Sequence, residues 1–136
     1  MAHKYLLDTH ALIWFLEGNS RLGQNAKNIL MNRESQFVLP LIALAEATII
    51  IERGRTTIPD ANQFVTRIYA DSRIEIFPLT LDVFKRSMTS EGLKIPELHD
   101  RFIVSTGLYL QDLGETIEMV TKDAEILASN VLPIIW

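Results

Sequence analysis

Short β-type runs alternate with longer helical ones along the whole chain, and that alternation narrows the fold to α/β layers around a mainly parallel sheet. Tyr5–Leu7, Gln36–Leu39, Arg73–Phe77, Ile117–Val120 and Leu132–Ile135 read as strands. Between them, helical spacing predicts Ala11–Glu17, Ser20–Arg33, Leu41–Arg53, Pro59–Ala70, Thr80–Thr89, Leu98–Leu113 and Asp123–Ala128. Ser20 is a possible N-cap for the second of these helices, whose Leu22, Ala26, Ile29 and Leu30 share one face, and Gly54 closes the third. In Thr80–Thr89 the spacing puts Leu81, Phe84 and Met88 on the inner side. Ligand sites in such folds lie at the carboxyl ends of the strands.

A chain of 136 residues, 48% hydrophobic and 22% charged, suits one domain, 1–136, with an ordinary core. No cysteine is present, which excludes a disulfide scaffold, a thiolate zinc site and a thiol nucleophile. The apolar opening MAHKYLLDTHALIWFLEG carries Asp8 and His10 in its middle, so it reads neither as a membrane span nor as a signal peptide. The expected location is therefore cytoplasmic. A net charge of -4 argues against a broadly basic nucleic-acid surface. If four of the 17 acids cluster around cations, however, the other 13 balance the 13 Lys and Arg. Bulk charge then says little about what the site binds.

The positions of certain acids carry more information. Asp8 separates the apolar runs Tyr-Leu-Leu and Ala-Leu-Ile-Trp-Phe-Leu. Glu46 sits in Leu-Ile-Ala-Leu-Ala-Glu-Ala-Thr-Ile-Ile-Ile, a helix apolar nearly all round, with no Lys or Arg three or four residues away. Asp100 opens the helix His-Asp-Arg-Phe-Ile-Val, and Asp123 follows the strand ending in Val120. An ionised carboxylate in apolar surroundings costs several kcal/mol unless it is paired, hydrogen-bonded or metal-bound. Asp8 and Asp123, each just past a strand, reach the same edge of a parallel sheet. A cluster of oxygen donors suits Mg²⁺ or Mn²⁺. Each acid taken alone also has an ordinary structural reading: Asp8 and Asp123 as N-caps, Asp100 as a helix-dipole partner, Glu46 as the mate of a distant arginine.

These residues resemble the PIN-domain family, above all its small bacterial toxins of the VapC type. LLDTHALIWFL resembles the first family motif, LIALAEATII the second, HDRFIVSTGLYL the third, and VTKDAEILASNVLPIIW the closing segment. The resemblance spans essentially the whole chain. It implies a three-layer α/β/α sandwich and a site in which Asp8, Glu46, Asp100 and Asp123 hold one or two Mg²⁺ or Mn²⁺. It also implies endonucleolytic cleavage of single-stranded RNA to 5′-phosphate and 3′-hydroxyl ends, a cognate antitoxin as partner, and a homodimer. Thr121 stands at the family's hydroxyl position as a supporting group. Glu97 replaces an Asp found in many relatives, in a segment that reads Glu-Leu-His-Asp here rather than Asp-Pro-Phe-Asp, and His99 replaces an aromatic.

Cations held by carboxylates lower the pKa of bound water and stabilise charge developing on phosphate and leaving oxygen. The acidic cage repels RNA until cations fill it, so tight substrate binding is expected only with metal. Thr9, beside Asp8, is a further supporting candidate. Arg101 suits a phosphate contact or, more simply, an ion pair with a neighbouring acid. Trp14 reads as core or interface before a base-stacking platform; Lys122 has the same two options as Arg101, with a solvated side chain the default; His10 fills a first helical turn or, less simply, touches substrate. Arg53 and Arg55, flanking Gly54, suit contacts to RNA backbone or, more simply, a charged helix end. No phosphate-cradling loop or GxSxG elbow is present. The alternatives are an RNA-processing or DNA-directed PIN nuclease that is not a toxin, and a Mg²⁺-binding receiver module. A receiver needs an acidic pair after its first strand and an acceptor Asp after its third; neither is present.

Overall fold

The computed structural model describes residues 3–136. Its five strands, β1 (His3–Leu7), β2 (Phe37–Pro40), β3 (Ile74–Phe77), β4 (Thr116–Val120) and β5 (Ile134–Ile135), form one sheet in the order β3-β2-β1-β4-β5. Every pairing is parallel. The helices are α1 (Thr9–Glu17), α2 (Gln24–Met31), α3 (Leu41–Glu52), α4 (Ala61–Ala70), α5 (Leu81–Ser87), α6 (Leu98–Asp112) and α7 (Ala124–Ser129), with a 3₁₀ turn at Gly92–Lys94. Crossovers of parallel strands cover both faces of the sheet, giving the three-layer α/β/α sandwich.

The central strands are buried on both faces, which is why Phe37–Pro40 and Leu6–Leu7 are continuous apolar runs and not alternating ones. The core joins Leu6, Leu7, Phe37, Val38, Leu39, Ile117 and Met119 of the sheet to Leu12, Ala43, Ala47, Ile103 and Leu108 of the helices. Gly107 lets α6 lie close to the sheet: a Cβ there would stand 2.8 Å from Leu6 Cδ2. That approach sets the start of α6 over the end of β1. Among the described residues no helix is long and apolar enough to cross a membrane.

Two local expectations are corrected. The second helix begins at Gln24, behind Gly23, and not at Ser20, which provides no cap. Asn19 diverts the chain first: its Oδ1 accepts from Arg21 N at 2.9 Å and its carbonyl from Leu22 N at 3.2 Å. In α5 the predicted face is reversed. Leu81, Phe84 and Met88 are 66%, 43% and 61% exposed, whereas Val83 and Ser87 are 0% and 2%. Thr80 caps the helix by accepting from Val83 N, and the backbone at Ser87 abuts Gly92 too closely for any side chain there. The inward side therefore takes small residues, and the larger apolar ones face out.

Candidate functional site

The chain runs outward from β1 through β2 to β3, then returns to the other side of β1 for β4. The order of strands thus reverses between β1 and β4, and a crevice opens beyond their carboxyl ends. Leu7 pairs with Val120, so Asp8 and Thr121 leave the sheet side by side. Four carboxylates predicted from separate segments, those of Asp8, Glu46, Asp100 and Asp123, line one cavity there of about 400 Å³. Thr9 and Glu97 line it too.

Each side chain is held by local structure. Asp8 caps α1, its Oδ1 accepting from Ala11 N at 2.8 Å, while Oδ2 accepts from Thr121 Oγ1 at 2.5 Å. Thr121, with no exposed surface, also accepts from Asp123 N at 3.1 Å, so one hydroxyl ties the ends of β1 and β4 together. Asp123 caps α7 with Oδ1, which accepts from Glu125 N at 2.9 Å and Ile126 N at 3.0 Å. Glu46 projects from α3, and Thr9 Oγ1 donates to its Oε1 at 3.1 Å. Glu97 caps α6 by accepting from Asp100 N at 2.7 Å. Its other oxygen lies 2.8 Å from His99 Nδ1, which is also 3.6 Å from Glu46 Oε2. His99 thus links two acids across the rim.

Burial pushes Asp8 and Glu46 above the ordinary carboxylate range, against the opposing hydrogen bonds of Thr121 and Thr9. Asp100 is pushed up to about 7, first by burial, then by the charges of Asp123, Glu97, Glu46 and Asp8. Burial also raises Glu97, but hydrogen bonds from Asp100 N and His99 outweigh it and leave the carboxyl low. Mutual repulsion is therefore built into the cluster. An oxygen-only donor set with excess negative charge fits a hard divalent cation. Among the described residues, no three Asp, Glu or His side chains are already drawn together as a metal cage; the carboxylates surround the cavity.

Arg101 is placed elsewhere: its Nε donates to Ile95 O at 2.8 Å, and it does not line the cavity. Among the described residues it forms no ion pair, so the acid partner expected for it is replaced by a backbone carbonyl. Conversely, His10, Trp14, Ile50, Lys122 and Trp136 complete the lining of the cavity. His10 and Trp14 stand four residues apart on α1, a spacing that puts both on one helical face, so the sequence held that signal. Trp136 has no comparable local sign.

Residues 5–127 match the PIN domain, and the chain belongs to that family, whose members are nucleases. Among solved structures it is similar to a toxin-antitoxin complex from Klebsiella pneumoniae, at 21% identity, with a TM-score of 0.67 and coverage of 100% of this chain and 97% of that one. It is also similar to VapBC2 from Rickettsia felis bound to a DNA fragment from their promoter, at 18% identity and TM-score 0.65, over 96% of both chains. FitAcB from Neisseria gonorrhoeae aligns at 15% identity and TM-score 0.64, over 97% of this chain and 96% of that one. At these identities the likeness establishes the fold. Comparison with curated proteins yields no match.

Proposed function

We propose that this chain is a divalent-metal-dependent endoribonuclease that cleaves single-stranded RNA, and that it is the toxin of a type II toxin-antitoxin pair. The observation that carries the catalytic part is the convergence of Asp8, Glu46, Asp100 and Asp123, from four separate elements, on one cavity at the topological switch point. Those four would hold Mg²⁺ or Mn²⁺. When bound, such ions supply Lewis-acid activation of the attacking water and neutralise charge on the phosphate. The chain's own part is positioning. Thr121 fixes Asp8 relative to Asp123, Thr9 fixes Glu46, and Glu97 fixes the first turn of α6 that carries Asp100.

The toxin assignment draws on the solved neighbours, among them a toxin-antitoxin complex and VapBC2. An apolar groove lined by Leu12, Phe15, Leu16, Leu30 and Ile68, with Arg67 beside them, suits an amphipathic antitoxin helix. The outward Leu81, Phe84 and Met88 of α5 suit a second copy of the chain. A dimer that persists in the L81S/M88S variant would place that contact elsewhere. Such a toxin would act in the cytoplasm, where RNA is available.

The deciding experiment is cleavage of labelled single-stranded RNA and DNA with Mg²⁺ or Mn²⁺, comparing wild type with Asp8→Asn and Asp100→Asn. Metal-dependent cutting of RNA that both substitutions abolish is the expected outcome. Cleavage surviving in both variants refutes the site, and cutting confined to DNA refutes the substrate.

A further inference from the structure

Lys122 lies in sequence between Thr121 and Asp123, at the edge of a cavity lined by carboxylates. A lysine so placed would be expected to pair with one of them. It does not: its Nζ stands over the Trp14 ring, 4.8 Å from the centroid, and it makes no ion pair among the described residues. The guanidinium of Arg21 lies 5.8 Å from the centroid of the same ring. Trp14 is itself fixed, edge-on to Trp136 at 5.9 Å, and Trp136 packs so closely on Gly23 that a Cβ there would sit 2.5 Å from its Cδ1.

The surface continues past this indole. A second depression of about 640 Å³ shares His10, Trp14 and Ile50 with the acidic cavity and extends to Arg21 and Arg55. Its one carboxylate, Glu17, is turned to Thr56 and Thr57, whose groups donate to it at 2.7–2.9 Å. An indole face holds a cation without neutralising it, whereas a carboxylate would cancel it. Trp14 therefore keeps two full positive charges beside an acid cluster that would otherwise capture them.

We propose that Lys122 and Arg21, held by Trp14, form a phosphate-binding arm that seats the single-stranded backbone on one side of the scissile bond. This rests on the nuclease reading for its substrate class. Lys122 takes the phosphate nearer the acidic cavity and Arg21 the next one out. Trp14 is the positioning residue. The arm also explains how a chain of net charge -4 holds a polyanion next to its carboxylates.

The test measures binding of a short oligoribonucleotide with a phosphorothioate backbone, which keeps its charge and resists hydrolysis, with Mg²⁺ over a series of KCl concentrations. Both tryptophans of the chain line the acidic cavity, so quenching of intrinsic fluorescence reports occupancy directly. Lys122→Gln and Arg21→Gln are each expected to flatten the slope of log K against log salt by roughly 0.7, the loss of one single-strand phosphate contact. Lys85→Gln, on exposed α5, leaves it unchanged. Trp14→Leu is expected to raise KM several-fold on unmodified RNA with kcat nearly constant. Unchanged slopes in both Gln variants, or no binding by wild type, overturn the arm. Wild-type cleavage of unmodified RNA is followed in parallel: cutting with unchanged slopes sinks the arm alone, while flattened slopes without cutting support the arm and sink the nuclease reading.

Discussion

Replacing Asp100 by Asn should stabilise the metal-free protein while abolishing its response to metal. The ordinary value for this carboxyl is 3.8, and in the fold it is pushed up to about 7 by burial and by the surrounding acids. A folded value above the unfolded one means that the native state holds the proton more tightly. Below pH ~4 both states are protonated and there is no penalty; as pH rises towards 7 the native state loses stability, and above that the loss is constant. At about 1.4 kcal/mol per tenfold change in acidity the full effect is about 4 kcal/mol. Asp100 is only partly buried, and solvent screening reduces this to about 2 kcal/mol. Asn keeps the shape and does not ionise. In EDTA, calorimetry should show Asp100→Asn melting close to wild type at pH 4 and about 6 °C higher at pH 8. Millimolar Mg²⁺ should then raise the wild-type Tm by several degrees and leave the variant almost unmoved. A variant less stable than wild type in EDTA at pH 8, or a gap that does not change between the two pH values, would falsify the picture of an acid cluster under mutual repulsion.

Three further outcomes follow from contacts around and away from the cavity. Thr121→Val should lower cleavage roughly 10- to 100-fold and cost about 1–3 kcal/mol of stability, because it frees Asp8 from Asp123 and leaves a buried carboxylate oxygen without its donor, and Thr121→Ser should restore most of both. Burial raises Glu17, but hydrogen bonds from Thr56, Thr57 and Asn19 outweigh it and hold the carboxyl below its ordinary 4.5. Its stabilisation is therefore present above pH ~5 and lost as pH falls; Glu17→Ala should cost about 1–2 kcal/mol in urea unfolding at pH 7 and less as the pH is lowered through the carboxylate range. Gly92→Ala should cost about 2–4 kcal/mol, since the new Cβ meets the Ser87 backbone and not a movable side chain; an unchanged unfolding midpoint would show that the α5 turn yields.

How much was legible depended on whether the deciding contact was local. Strand and helix alternation is written residue by residue, so the parallel sheet and most elements could be read directly. The face of α5 could not, because Leu81, Phe84 and Met88 have ideal helical spacing and only the backbone approach at Gly92 turns them outward. The start of α2 was lost for a similar reason: a turn at Asn19 uses up the residues that resembled a cap. In the site, Asp8 and Glu46 were conspicuous because each interrupts an apolar run, and Asp100 and Asp123 because each stands where a helix opens. Trp14 was not, since an aromatic in an amphipathic helix looks like core, and its partners Lys122 and Trp136 lie far along the chain.

The capping and catalytic readings of Asp8 and Asp123 looked like competitors in the sequence, but a carboxylate has two oxygens and these residues divide them. Oδ1 of Asp8 closes α1 and Oδ1 of Asp123 closes α7, which fixes each side chain at a helix start. The second oxygen of Asp8 meets Thr121, the hydroxyl that also holds the Asp123 backbone. Each cap lies where the positive end of a helix dipole favours negative charge, which lowers the cost of bringing the acids together. Asp100, whose helix is capped by Glu97 and whose carboxylate accepts no hydrogen bond among the described residues, is pushed up to about 7. Burial raises Asp8 and Glu46 as well, so removing the Asp100 charge relieves one of three carboxyls whose ionised forms the metal-free fold disfavours.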